Sequence, residues 1–170
     1  MKLNIIGSIF GSSGYSSHTR QLVNALHDQG FEVRIDCALP QDYLRQVNDA
    51  ELLMLQRQFD ESYTSVMIGL PQWWRLSIAD NAEKFIGYLV WEGDKVPDYW
   101  IEYICDERVD QIWVPSQHVR NAIYNTIEGT VEIDRLMDKI KIVPHGVDTS
   151  LFQPIQSTEK RPFTFCVNKG

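Results

Sequence analysis

Apolar positions alternate along the chain between short continuous runs and stretches with a period near 3.6. Residues 3–9 form a short apolar run of the kind that makes a central strand of a parallel sheet. Residues 10–17, Phe-Gly-Ser-Ser-Gly-Tyr-Ser-Ser, follow as a loop rich in Gly and Ser. Leu22, Val23, Ala25 and Leu26 then recur at helical spacing, and Gly30 supplies the stop. Residues 31–36 alternate as a second strand. Strand, Gly-rich turn, helix and strand within about 30 residues open a Rossmann-like fold.

The pattern continues loosely. Residues 51–55, 65–70, 85–91, 111–114 and 140–143 read as strands. Residues 98–107 place Trp100, Ile101 and Ile104 at helical spacing, and Ser116 caps a helix reaching residue 127, with Val119, Ala122 and Ile123 on its apolar face. The expected fold class is α/β: a Rossmann-like parallel sheet with helices on both faces, over residues 1–152. Residues 153–162, with two prolines among polar side chains, read as a linker, and residues 163–170 as the first strand of a second domain.

Composition narrows the function. With 170 residues and 44% hydrophobic content, the chain needs neither disulfide nor metal to hold a core. A net charge of −7 argues against general nucleic-acid binding and limits membrane contact to a peripheral one. Cys37, Cys105 and Cys166 are far apart and match no metal or redox spacing, which suits reduced thiols in the cytoplasm. No apolar run reaches the length of a membrane span.

Four places carry candidate chemistry. Gly11, Ser12, Ser13 and Gly14 precede a helix, whose free N–H groups and partial positive charge suit a phosphate; a tight structural turn is the plainer alternative. Trp91 and Glu92 end the most apolar run. Ligands bind at strand carboxyl ends, so Glu92 is the catalytic candidate, against a capping or salt-bridging role. Trp91 offers either a stacking face for a sugar or core packing. Trp73 and Trp74 follow a strand and either line an acceptor groove or pack beneath a helix, and His18 lies close enough to the Gly/Ser loop to touch a ligand. His145, Gly146 and Asp148 form a crossing loop, with Gly146 expected at positive φ and Asp148 bonding back to the backbone, a hinge rather than a catalytic group. Asp36 is a ribose-ligand candidate or a solvated strand end.

Read in order, these pieces resemble family 4 of the retaining GT-B glycosyltransferases. The residues that carry the resemblance are 11–15, Arg20, Leu22, Ala25, Leu26, Gly30, Val33, 68–71, 87–92, Pro97, Trp100, Asp110-Gln111-Ile112-Trp113-Val114-Pro115-Ser116, Lys141-Ile142-Val143-Pro144-His145-Gly146-Val147-Asp148, Phe152 and Pro154. The resemblance implies the N-terminal, acceptor-side domain of a two-domain enzyme. That enzyme moves a sugar with retention from a nucleotide-diphosphate sugar to a glycan or other hydroxyl acceptor, without cofactor or metal. It also implies that the Gly-rich loop approaches the donor diphosphate, that a C-terminal donor-binding domain is missing, and that this chain alone is inactive. Many members carry a histidine near the end of the strand matching residues 85–91, where this chain offers Glu92. Two rival readings stand beside it: a non-catalytic glycan- or nucleotide-binding domain of the same fold, and a dinucleotide oxidoreductase, disfavoured because Ser12 and Ser13 interrupt the glycine fingerprint.

Overall fold

The computed structural model describes residues 1–37, 46–130 and 133–153. Six strands, β1 (Lys2–Ile6), β2 (Glu32–Asp36), β3 (Tyr63–Ile68), β4 (Ala82–Tyr88), β5 (Gln111–Val114) and β6 (Ile140–Ile142), form one sheet in the order β2-β1-β3-β4-β5-β6. Every neighbouring pair is parallel. The protein is therefore an α/β protein with a Rossmann-like parallel sheet.

Alternation along the strands divides the core in two. Ile5, Val33, Val66 and Ile86 face helices α1 (Gly14–Asp28) and α2 (Asp49–Gln56), which bury Val23 and Met54 against them. Ile6, Met67, Phe85, Ile112 and Ile140 face α3 (Trp74–Ser77), α4 (Ile101–Ile104), α5 (Gln117–Ile127) and α6 (Ile133–Lys139). A sheet buried on both sides needs continuous apolar strands, and the sequence supplies them. The chain leaves β1 toward β2 and then returns to the other side of β1 as β3. The order reverses there, and the carboxyl ends of β1 and β3 frame the crevice where such sheets bind ligands.

Most expected elements are present, with instructive departures. Residues 51–55, expected as a strand, lie in α2. Asn48 accepts from the Glu51 N–H at 2.7 Å, while the Glu51 carboxylate accepts from the Asn48 N–H at 3.0 Å. This reciprocal cap starts a helix that needs only Glu51 and Met54 inside. Helix α6 is an addition to the expected elements. The strand expected at 85–91 is displaced to Ala82–Tyr88, so Trp91 and Glu92 lie in the loop beyond it. The helix expected at 98–107 is a 3-10 turn, Asp98–Trp100, running into the short α4. Gly30 does close α1, at φ +83, with its N–H bonded to the His27 carbonyl. The expected linker beyond residue 153 and the strand after it lie outside the described residues.

Candidate functional site at the strand carboxyl edge

The Gly/Ser loop between β1 and α1 is largely occupied with itself. Ser13 caps α1 by accepting from the Ser16 N–H at 3.2 Å, and the Ser16 hydroxyl also meets Ser8 Oγ at 2.6 Å and Ser13 Oγ at 3.1 Å. A Cβ on Gly11 would stand 2.9 Å from Ser16 Oγ, so Gly11 is demanded by the buried Ser16. Arg20 reaches back from the second turn of α1 and donates to the carbonyls of Ile9 at 2.7 Å and Gly11 at 2.8 Å, which fixes the loop's path.

Ser12 and Gly14 take no part in that cap, and both are exposed, as is Ser13. A Cβ on Gly14 would meet nothing within 4 Å, and its φ is not positive. These two residues stand at the N-terminus of a 15-residue helix with no acidic residue in its first turn. Its partial positive charge is therefore uncompensated by its own side chains.

Tyr15 links this loop to the end of β4. Its hydroxyl donates to the Val90 carbonyl at 3.4 Å. Burial raises its pKa, and the Glu92 carboxylate nearby raises it further, so the phenol stays protonated at neutral pH. Glu92 itself is exposed, and its carbonyl contacts His118 Nε2 at 3.0 Å.

The loop carrying Glu92 is bound along α5. Asn125 donates to the Asp94 carbonyl at 3.0 Å, and Val96 N–H donates to Thr126 Oγ1 at 3.0 Å. Trp91 is half-buried. Its indole donates to the Lys95 carbonyl at 2.6 Å, and its ring sits edge-on to Trp100 at 4.9 Å, so packing engages the ring proposed for sugar stacking.

A second cluster lies beside α1. Tyr88, at the end of β4, donates to the Val143 carbonyl at 2.7 Å and so fixes where the chain leaves β6. His18 packs against Tyr88 with ring centroids 4.7 Å apart, and His145 stacks on His18 at 4.1 Å with 22° between the planes. Burial, and secondarily the neighbouring imidazole, pushes the His18 pKa down to about 4. Partial desolvation of its ring also lowers that of His145, although the residue as a whole is exposed. An open cavity of about 690 Å³ lies between His18, Leu22 and Asp28 of α1, Tyr88 and Trp113 at the strand ends, and Val143, Pro144, Gly146, Val147, Asp148, Leu151 and Phe152 of the segment after β6. Neither Gly11–Gly14 nor Glu92 lines it, so His18 belongs to this hollow rather than to the loop it follows in sequence.

The remaining candidates separate in the same way. Trp74 is fully buried, with its indole donating to the Gly69 carbonyl at 3.0 Å, and is core rather than groove. Trp73 is 42% exposed beside the more exposed Leu76. Gly146 lacks the positive φ expected of it: among the described residues only Gly30 and Gly129 adopt one. Asp148 does bond back, accepting from the N–H groups of Ser150 at 2.9 Å and Leu151 at 3.3 Å. Asp36 sits half-buried at the end of β2, where its carbonyl accepts from the Gly7 N–H at 3.0 Å.

Sequence reasoning missed Tyr15, Tyr88 and the loop-holding role of His118. Tyr15 and Tyr88 lie within stretches already singled out and His118 two residues beyond Ser116, but only the fold reveals their partners. Among the described residues no three His, Cys, Asp or Glu side chains gather as a metal site, and no helix is long and apolar enough to cross a membrane.

The class defined by this arrangement is an α/β domain with a glycine loop and an acidic loop at one strand edge. No family model, curated protein or solved structure matches the chain.

Proposed function

We propose that this domain forms the acceptor-side wall of a retaining sugar-transfer site of the family 4 GT-B kind. The reading is carried by Tyr15, which ties the loop offering Ser12 and Gly14 to the loop offering Glu92, at the carboxyl edge of one parallel sheet. The donor diphosphate lies against the positive end of α1, where Gly14 leaves the backbone open to close approach. Glu92 orients the acceptor hydroxyl. The acceptor oxygen bonds to the anomeric carbon on the face from which the diphosphate departs. The glycosidic C–O bond to phosphate breaks, and the acceptor proton leaves with the diphosphate. On this reading the 170 residues supply one wall of the site, bind donor weakly and do not turn over alone.

Calorimetric titration tests it, with UDP, GDP and their glucose and mannose derivatives run against the wild-type chain, Gly14→Ala and Glu92→Gln. A Kd near 1 mM, corresponding to about −4 kcal/mol, is expected for at least one nucleotide, weakened several-fold in Gly14→Ala. Absence of any nucleotide binding, or binding that both variants leave intact, refutes the proposal. Glycan binding without nucleotide binding favours the non-catalytic reading instead.

A further inference from the structure

The segment from 144 to 152 is attached in an unusual way. Among the described residues its hydrogen bonds close within itself: Asp148 accepts from Ser150 and Leu151 through its carboxylate and from Leu151 and Phe152 through its carbonyl. Its large apolar side chains, Val147, Leu151 and Phe152, are each about two-thirds or more exposed. Its ring contact with the body of the domain is His145, stacked on His18 and tilted against Tyr88 at 5.7 Å. The strap thus leaves β6 at a point fixed by Tyr88, then rests on one imidazole laid over another.

We propose that the His18–His145 stack is a protonation-controlled latch, holding the 144–152 strap over the α1 cavity while both rings are neutral and releasing it when they take up protons. Two imidazolium rings 4.1 Å apart repel each other. His18 Nε2 is buried with no hydrogen-bond partner among the described residues, so a proton there would be an unpaired charge inside the closed form.

The surrounding groups do not relieve it. Tyr88, from β4, is a neutral phenol whose pKa burial raises to about 12 and whose proton is given to Val143. Arg20, from α1, is a second cation, directed at the loop carbonyls. Asp148, on the strap, is turned to Ser150 and Leu151, and Asp28 lines the cavity at the far end of α1. The influences on His18 are its burial and His145, and both disfavour the proton.

The sign follows. The pKa is lowered in the closed form, so closure is fully favoured above the ordinary histidine value of 6.5. The preference falls as pH drops from there toward the closed-form value of about 4. Between pH 7 and pH 5 the closed-to-open ratio falls about tenfold, after discounting for solvent near the ring. The latch makes no reference to sugar and holds or fails separately from the transfer reading.

The test is an NMR titration of the 170-residue chain from pH 7.5 to 4.5, following the histidine ring signals and the amides of 146–152. Strap amides are expected to shift together with the ring titration while the Val23 and Ile5 amides stay native. His145→Phe keeps a flat ring without a basic nitrogen, removes the repulsion between two charged rings, and should leave a smaller pH step driven by protonation of the buried His18 alone. His145→Ala should place the strap signals at their open position already at pH 7.5. Strap signals indifferent to pH, a step of unchanged size in His145→Phe, or global unfolding before the strap moves would each overturn the latch.

Discussion

Gly87 sits next to the carboxyl end of β4 with the indole of Trp74 laid directly on it. A Cβ added there would lie 2.5 Å from both Trp74 Cζ2 and Cη2 and 2.6 Å from Cε2, well inside van der Waals contact. The indole has no easy retreat: Trp74 is fully buried, and its N–H is bonded to the Gly69 carbonyl on the adjacent strand exit. Gly87→Ala should therefore cost at the upper end of the overpacking range, about 3 kcal/mol. In a domain of this size that lowers Tm by roughly 6–12 °C. Urea denaturation followed by circular dichroism should show a lower midpoint with the slope unchanged. The cause is checked by a double-mutant cycle with Trp74→Leu, which removes the clashing ring. Trp74→Leu is destabilising in itself, through the cavity and the lost hydrogen bond. The added cost of Gly87→Ala in that background should fall below about 1 kcal/mol, the signature of direct contact. A loss under about 0.5 kcal/mol in the wild-type background, or an equal loss in both, would refute the account of why β4 carries a glycine.

Gly14→Ala should change stability by less than about 0.5 kcal/mol in the same denaturation assay, since nothing crowds its Cβ, while weakening nucleotide binding by calorimetry. Tyr88→Phe removes the donor to the Val143 carbonyl and should cost about 1 kcal/mol. Asp106 accepts from Arg108 Nη2 at 2.7 Å and from Arg75 Nε at 3.2 Å, contacts that hold its carboxyl well below the usual carboxylate range. Asp106→Asn should cost about 1 kcal/mol at neutral pH. Because the folded-state pKa is depressed, that contribution is complete above the ordinary value of 3.8 and is lost as pH falls below it. The gap between wild type and variant in denaturation midpoint should therefore narrow below pH 4.

Much of the fold was legible because its strands are apolar on both faces. Ile5 and Ile6, Val66 and Met67, and Phe85 and Ile86 are consecutive pairs serving opposite cores, which is why they read as unbroken runs rather than alternating ones. Helix α5 was readable for a different reason: Ser116 accepts from the Val119 N–H, and Val119, Ala122 and Ile123 follow at helical spacing. The same logic misled at 51–55, where four consecutive apolar residues mimic a buried strand. The deciding signal is the capping pair Asn48 and Glu51, which the apolar run beside it hides. At 98–107 the spacing was right for one turn, and the tight 3-10 entry at Asp98–Trp100 leaves the helix only four residues.

The site was less legible, because a residue type announces chemistry without saying what already occupies it. Ser13 reads as a phosphate donor and is spent on capping; Trp74 reads as a sugar platform and is spent on Gly87. His18 reads as part of the glycine loop, yet helical geometry turns it toward Tyr88 and a strap from the other end of the domain. The useful distinction is between residues whose identity the fold requires and residues whose identity it does not. Gly11 and Gly87 are required by a neighbour that a Cβ would strike. Gly14 is required by no such contact, and at the first position of α1 glycine brings no stability that alanine would not, the change expected being under about 0.5 kcal/mol. A residue that the fold does not need, exposed at the positive end of α1 and one residue from the tyrosine that reaches toward Glu92, is the point at which packing stops explaining the sequence, and it is there that the nucleotide titration of Gly14→Ala separates the proposed reading from a plain turn.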